Sequence, residues 1–426
     1  MAPIALDTGS PADPVQSLKI RAKTADPAIF PDGLKTSGTR LPTPRASIQT
    51  SNVPNASAHH QSGQHPPLYD QIRPYSAFPK HIEGPTVWQA EDYANNPERW
   101  VHQLSAPEIE EISRVADNFI TSGLPITGIT KQNFPLPSLE SNLAAMRREL
   151  VNGKGFMLFK KSIPVNEWGN FKSAVAYFGL GRNGHILGHV QSLDVDGTKI
   201  DSVRIYKTTA RQAFHADECD IVGLLCLARA QSGGESDVAS IHHVWNILQA
   251  ERPDVAELLT QPVWYFDRKG EVSAGEEPYI RGAVFYLETP DPANPERKQR
   301  VYCKWDPYYV RSLQRFSDLG IIPPLSAAQE EAANLLEATC ERVKLHMILE
   351  VGDIQFVANS HTLHARTAYV DHPPASGLPR RHLMRLWLSV PQGEGGWRLP
   401  YWDADEKKRG GIQVDDTAPV ARLEGD

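Results

Sequence analysis

Three residues far apart in the chain have the types and spacing to converge on one metal ion. The segment Phe214-His215-Ala216-Asp217 sets an imidazole and a carboxylate two residues apart, and on a strand such residues project to the same face. With 15 histidines present, one such triplet is expected about once by chance, so a further ligand is needed. His364 offers it, 149 residues beyond His215, within the run Gly352-Asp-Ile-Gln-Phe-Val-Ala-Asn359-Ser-His-Thr-Leu-His364-Ala-Arg366. His361, on the opposite face if this run is a strand, is its rival.

Two His and one carboxylate on one face of a metal leave three adjacent positions open, the geometry associated with non-haem Fe(II) oxygenases. A 2-oxo acid can chelate two of those positions while O2 takes the third. Such a cosubstrate carries a distal carboxylate, which needs a planar cation and a hydroxyl. The run Arg381-His-Leu-Met-Arg385-Leu-Trp-Leu-Ser-Val390 supplies cations in phase, because residues 381, 383, 385 and 387 share a strand face. Ser236, just after the Gly233-Gly234 turn, can donate the hydroxyl. Trp387 falls in the same phase and either walls the pocket or packs the core.

With these segments in order, the sequence resembles the TauD/TfdA-like Fe(II)/2-oxoglutarate dioxygenases. The likeness runs through Arg204 to Asp217, Asp220 to Ala228, Ser232-Gly-Gly-Glu-Ser236, Gly352 to Arg366 and Arg380 to Leu388. It implies His215, Asp217 and His364 as iron ligands, Arg381 and Ser236 on the distal carboxylate of 2-oxoglutarate, and Arg385 on an anionic group of the substrate. Where the family carries Thr this chain has Ser236, which keeps the hydroxyl. A long connection from His364 to Arg381 leaves Arg380 able to exchange roles with Arg381, and the shared phase of 381 and 385 favours Arg381.

The elements that must hold these residues are mostly strands. Val203–Tyr206, Val222–Ala228, Gly282–Leu287, His346–Val351, Ile354–Ala358 and His382–Val390 read as strands, with one good helix opening at Ser326 and running to about Val343. Ahead of them, Ser105-Ala-Pro-Glu108 is a capping box that opens a helix reaching Gly123, and a second helix runs from Ser138 to Gly153. Gly155–Phe159 then changes period to that of a buried strand. The expected fold is mainly β with flanking helices, a jelly-roll double-stranded β-helix.

Composition sets the frame around that barrel. Of 35 aromatic residues in 426, only Phe30 precedes Tyr69, and the same stretch holds ten of the 34 prolines. Residues 1–68 are therefore expected to be a disordered tail, 69–400 the folded domain (helical cover over 69–154, β core over 155–400) and 401–426 a polar tail. The net charge of −7 and the lack of any run of five or more basic residues disfavour nucleic acid as a partner. No secretion signal or membrane span is readable, and four scattered cysteines fit a reducing, cytoplasmic setting; Asp7 and Asp13 argue against a mitochondrial presequence without excluding import.

The expected partner is a small organic, anionic substrate, with a homo-oligomer left open. The expected cofactors are Fe(II) with 2-oxoglutarate and O2, the default reaction is hydroxylation of an unactivated C–H bond with release of succinate and CO2, and cyclisation or desaturation at the same centre is the alternative. A zinc hydrolase using the same three ligands, or a ligand-binding barrel without turnover, are the rival readings.

Overall fold

Two facing sheets form the framework of the computed structural model, which describes residues 72–181, 184–195, 204–268, 277–292, 295–390 and 395–399. The tails expected at 1–68 and 401–426 lie outside the described residues. The strands of the two sheets, numbered along the chain, are β1 (Val101–Gln103), β2 (Phe156–Lys160), β3 (Gly184–Val190), β4 (Gln212–His215), β5 (Ile221–Ala228), β6 (Ser236–Ser240), β7 (Leu345–Met347), β8 (Ile354–Ala358), β9 (Thr362–Arg366) and β10 (His382–Leu388). The major sheet has the order β1-β2-β8-β5-β10-β3, antiparallel except for the β1–β2 pair. The minor sheet has the order β7-β6-β9-β4 and is antiparallel throughout. Together they make the double-stranded β-helix.

Alternation along each strand decides what faces what. Phe156, Leu158, Val222, Val357 and Trp387 of the major sheet meet Val238, Leu345 and Met347 of the minor sheet in an apolar layer between the two. The intervening residues Met157, Phe159, Leu225, Ile354, Phe356, Met384 and Leu386 turn outward beneath helices. Those helices are α1 (Ala106–Thr121), α2 (Glu140–Asn152) and α3 (Val165–Gly181). Behind the minor sheet, Phe214, Ala239, Leu363 and Ala365 pack with α4 (Ile241–Glu251), α5 (Pro253–Thr260) and α6 (Ala327–Val343). No helix among the described residues is long and apolar enough to cross a membrane.

Local signals produce the helices that were readable. Ser105 and Glu108 form the capping box of α1, and Ser326 with Gln329 forms that of α6. Helix α3 is broken at Gly169 (φ +73°), and its second part had no such signal, because Ser173 to Gly179 are all buried and a helical segment enclosed on every side has no amphipathic period. Helices α4 and α5 likewise occupy a stretch read as strands with one helix.

Three expectations need correction. Residues Ile205–Lys207 form a 3-10 turn where a strand was expected, Val203 lying outside the described residues. The run Gly282–Leu287 is broken: Tyr279–Gly282 pairs with Trp264–Asp267, Phe285–Leu287 pairs with Val301–Cys303, and the Tyr286 hydroxyl accepts from the Ala283 N–H between them. The expected helical cover also contains β1, which extends the major sheet.

The turn entering β8 depends on Asp353, which is fully buried and accepts from Lys160 Nζ (2.6 Å) and from the backbone N–H groups of Lys161 and Glu350 (2.8 Å each). Removing the carboxylate strands two backbone donors and an ammonium. Asp353→Ala should lower the unfolding free energy by roughly 2–4 kcal/mol, read from the urea midpoint at unchanged slope.

Candidate active site

His215 is the last residue of β4 and sits across from His364 on β9, their ring centroids 4.1 Å apart. Asp217 lies beyond the strand end, so the sequence expectation of one continuous strand carrying both residues is corrected. The chain leaves the sheet after His215 and turns the carboxylate back, leaving Asp217 Oδ1 3.8 Å from His215 Nε2. One donor atom from each of His215, Asp217 and His364 lies within 4.8 Å of the other two.

The turn that returns Asp217 is pinned on several sides. Ala216 N–H donates to Trp305 O (2.8 Å), Asp217 N–H donates to Asn359 Oδ1 (3.0 Å), and Asn359 Nδ2 donates to Cys219 O (3.0 Å). Next door, Lys304 and Glu218 form a buried ion pair at 3.1 Å. The ligand geometry is therefore held by backbone as well as side-chain bonds.

The donor set fits a divalent metal. The His215 Nδ1–H points to Ala213 O at 2.9 Å, which leaves the Nε2 lone pair on the side of Asp217, with the Gln212 amide 2.9 Å from it. His364 Nδ1 is buried without a hydrogen-bond partner. Burial, followed by the charge of His215, pushes the His364 pKa down to about 3, so this imidazole is neutral at pH 7. Burial opposes ionisation of Asp217, but Arg385, the two imidazoles and the Trp387 indole N–H (3.2 Å to Oδ2) together hold its pKa below the usual carboxylate value. Neutral nitrogen and ionised oxygen donors are the forms a metal requires.

The same cleft, about 510 Å³ with its solvent-filled mouth included, continues to Ser236 and Arg381. Arg381 is buried; its Nη2 donates to Gly234 O at 3.0 Å, its guanidinium lies 5.1 Å from the Tyr369 ring centroid, and Nη1 has no partner. Gly234 has φ of +71°, and a Cβ there would come within 2.5 Å of Arg381 Nε, so only glycine lets the guanidinium lie against this turn. Ser236 Oγ–H donates to Gln355 Oε1 at 2.9 Å. Arg380 goes elsewhere, bonded to Asp194 by both Nη atoms (2.6 Å each) and to Asp371 by Nε (3.1 Å).

Arg385 lies over the rings of Tyr206 and Trp387, 4.9 Å from each centroid, with Nη1 3.7 Å from Asp217 Oδ1. Val190, Leu224, Leu349 and Leu383 give the cleft its apolar wall. His361 faces away: its Nε2 meets Gly153 O at 3.0 Å and its ring stacks on Trp397 at 5.4 Å. The cleft thus brings together His215, Asp217, Ser236, His364, Arg381 and Arg385. It also contains Gln212, Gln355 and Arg366, to which sequence reasoning gave no role. Gln355 had a signal, as a polar residue inside the otherwise apolar β8, and Arg366 shares the strand face of His364.

Comparison with known proteins agrees with this fold and chemistry. Residues 122–387 match the family described as taurine catabolism dioxygenase TauD, TfdA family. The FR-33289 synthase of Streptomyces rubellomurinus is 29% identical over 330 residues, covering 74% of this chain and 92% of that protein. The taurine hydroxylase-like protein SAT17 of Stachybotrys chartarum is 26% identical over 332 residues, covering 74% and 80%. Among solved structures, an asparagine oxygenase in complex with Fe(II), 2S,3S-3-hydroxyasparagine and succinate superposes with a TM-score of 0.51 at 16% identity, covering 74% of this chain and 99% of that one. The chain belongs to the TauD, TfdA family and is an Fe(II)- and 2-oxoglutarate-dependent oxygenase.

Proposed function

We propose that this oxygenase hydroxylates an unactivated C–H bond of a small anionic organic molecule, with His215, Asp217 and His364 holding the iron. The observation that carries the reading is geometric: one donor atom from each of His215, Asp217 and His364 lies within 4.8 Å of the other two, and the buried His364 Nδ1 has no hydrogen-bond partner among the described residues. When bound, Fe(II) with 2-oxoglutarate and O2 supplies the oxidant that breaks the C–H bond, succinate and CO2 being the coproducts.

The chain's own residues position and shield. Arg381 and the Ser236 hydroxyl receive the distal carboxylate of 2-oxoglutarate, which fixes the orientation of the 2-oxo acid between them and the three ligands. For this, the Ser236 proton turns from Gln355 to the incoming anion. Trp387 and Arg385 keep Asp217 ionised and oriented. Arg385 also has an unpartnered Nε, through which it can take the anionic group of the substrate. The apolar wall of the cleft excludes water from the reacting bond.

Anaerobic addition of Fe(II) and 2-oxoglutarate to metal-free protein should give the weak visible band of the chelate, and Asp217→Ala should abolish it; a wild-type protein without the band would sink the reading. Arg381→Ala should raise the 2-oxoglutarate KM by ~100-fold, whereas Arg380→Ala, which loses the ion pairs to Asp194 and Asp371 outside the cleft, should change it little. The reverse pattern would exchange their roles. Trp387→Phe keeps an aromatic ring and loses the N–H to Asp217, so Fe(II) affinity measured against a chelating dye should fall by ~10-fold, while the smaller ring in the apolar layer lowers thermal stability without unfolding the protein.

A further inference from the structure

Arg366 is a buried cation with no counter-ion. It lies on β9 two residues past His364, on the same inward face, and its Cα is registered with Ser236 of β6. One nitrogen, Nη2, donates to Ala210 O, while Nε and Nη1 make no hydrogen bond. Its guanidinium carbon lies 4.8 Å from the centroid of the Tyr369 ring, the ring that Arg381 also covers at 5.1 Å. Among the described residues no carboxylate pairs with the side chain of either arginine; Asp371 accepts only from the Arg381 backbone N–H.

Two enclosed guanidiniums beside one another are unfavourable until an anion reaches them. Position says which anion. Two residues along a strand are ~7 Å, and this step leads from the ligand His364 to the level of Ser236. A five-carbon 2-oxo diacid spans about this interval from its chelating end to its distal carboxylate.

We propose that Arg366 is a second binding cation for the distal carboxylate of 2-oxoglutarate, which it shares with Arg381 and Ser236. The inference rests on the iron and 2-oxoglutarate reading of this cleft. It makes the anion end a two-arginine clamp, so selectivity for a diacid over a mono-acid exceeds what one arginine and a hydroxyl supply.

The test uses two probes, 2-oxoglutarate and 2-oxovalerate, which has the same chain length but no distal carboxylate. Each is titrated anaerobically into Fe(II)-loaded protein and followed by the chelate band, so turnover is not the readout. Arg366→Met should weaken 2-oxoglutarate by ~10-fold or more and leave 2-oxovalerate within about twofold. Arg366→Lys, which keeps the charge but not the fork, should fall between. Circular dichroism checks the fold; if the Met variant does not fold, the Lys variant carries the comparison, with an expected loss of at least about threefold for 2-oxoglutarate alone. Equal losses for both acids would make Arg366 a purely structural tie to Ala210, and an unchanged 2-oxoglutarate affinity would remove it from the site. Absence of the band in wild-type protein with either acid is a different failure, that of the iron reading itself.

Discussion

The site depends on one cross-strand pairing, His364 on β9 opposite His215 on β4. A one-residue slip of β9 would turn His364, and Arg366 in phase with it, to the helix-covered face and away from His215. The pairing is irregular by design of the strand: His364 matches His215 while Arg366 matches Gln212, so β4 spends three residues where β9 spends two. Such a bulge increases twist and re-aims side chains. Here it comes immediately before the chain leaves the sheet, which is what lets Asp217 return toward the imidazoles although it belongs to no strand. β6, on the other side of β9, is in regular register and carries Ser236 at the level of Arg366. One strand, β9, thereby sets the proposed metal end and the proposed anion end at a fixed interval.

Electrostatics divides the cleft in the same way. Among the described residues Asp217 is the one acid lining it, set against the cations Arg366, Arg381 and Arg385, in a chain whose net charge is −7. The overall charge therefore says nothing about what the interior prefers. Because burial lowers the dielectric response, each unpaired guanidinium acts more strongly here than it would at the surface, where Arg380 is neutralised by Asp194 and Asp371. Arg380 lies in ion pairs near the surface, whereas in the cleft Arg385 meets only Asp217, at 3.7 Å, and Arg366 and Arg381 have no carboxylate partner among the described residues. That is the pattern expected of a site built to receive anions.

How much of this could be read in the sequence follows from the range of the interactions concerned. The helices opening at Ser105 and Ser326 were legible because a capping box is complete within four residues. The strand Ile354–Ala358 was legible from its apolar run between turns. The second part of helix α3 was not, since the burial of Ser173 to Gly179 on all sides is a property of the elements around it. The break after Gly282 is set by the Tyr286 hydroxyl and two separate sheets, which no local pattern encodes. In the site, residue types and strand phase brought forward six positions that share the cleft, but the path of Asp217 depends on Asn359 and Trp305, distant in sequence. Arg366 and Gln355 gain meaning only once β9 lies beside β6 and β8 faces it.

The two sheets contribute different halves of the cleft. The minor sheet and the turn that follows β4 bring His215, Asp217, His364, Ser236 and Arg366, whereas the major sheet brings Gln355, Arg381, Arg385 and Trp387. Contacts such as Ser236 to Gln355 and Trp387 to Asp217 therefore cross from one sheet to the other. Their lengths are fixed by the spacing of the sheets, which the apolar layer of Phe156, Val222, Val238 and Val357 determines. A close-packed layer resists changes of even a methylene, so that layer acts as the spacer between the proposed metal ligands and the groups that orient them. Packing far from the reacting bond and geometry at it are in this fold the same constraint.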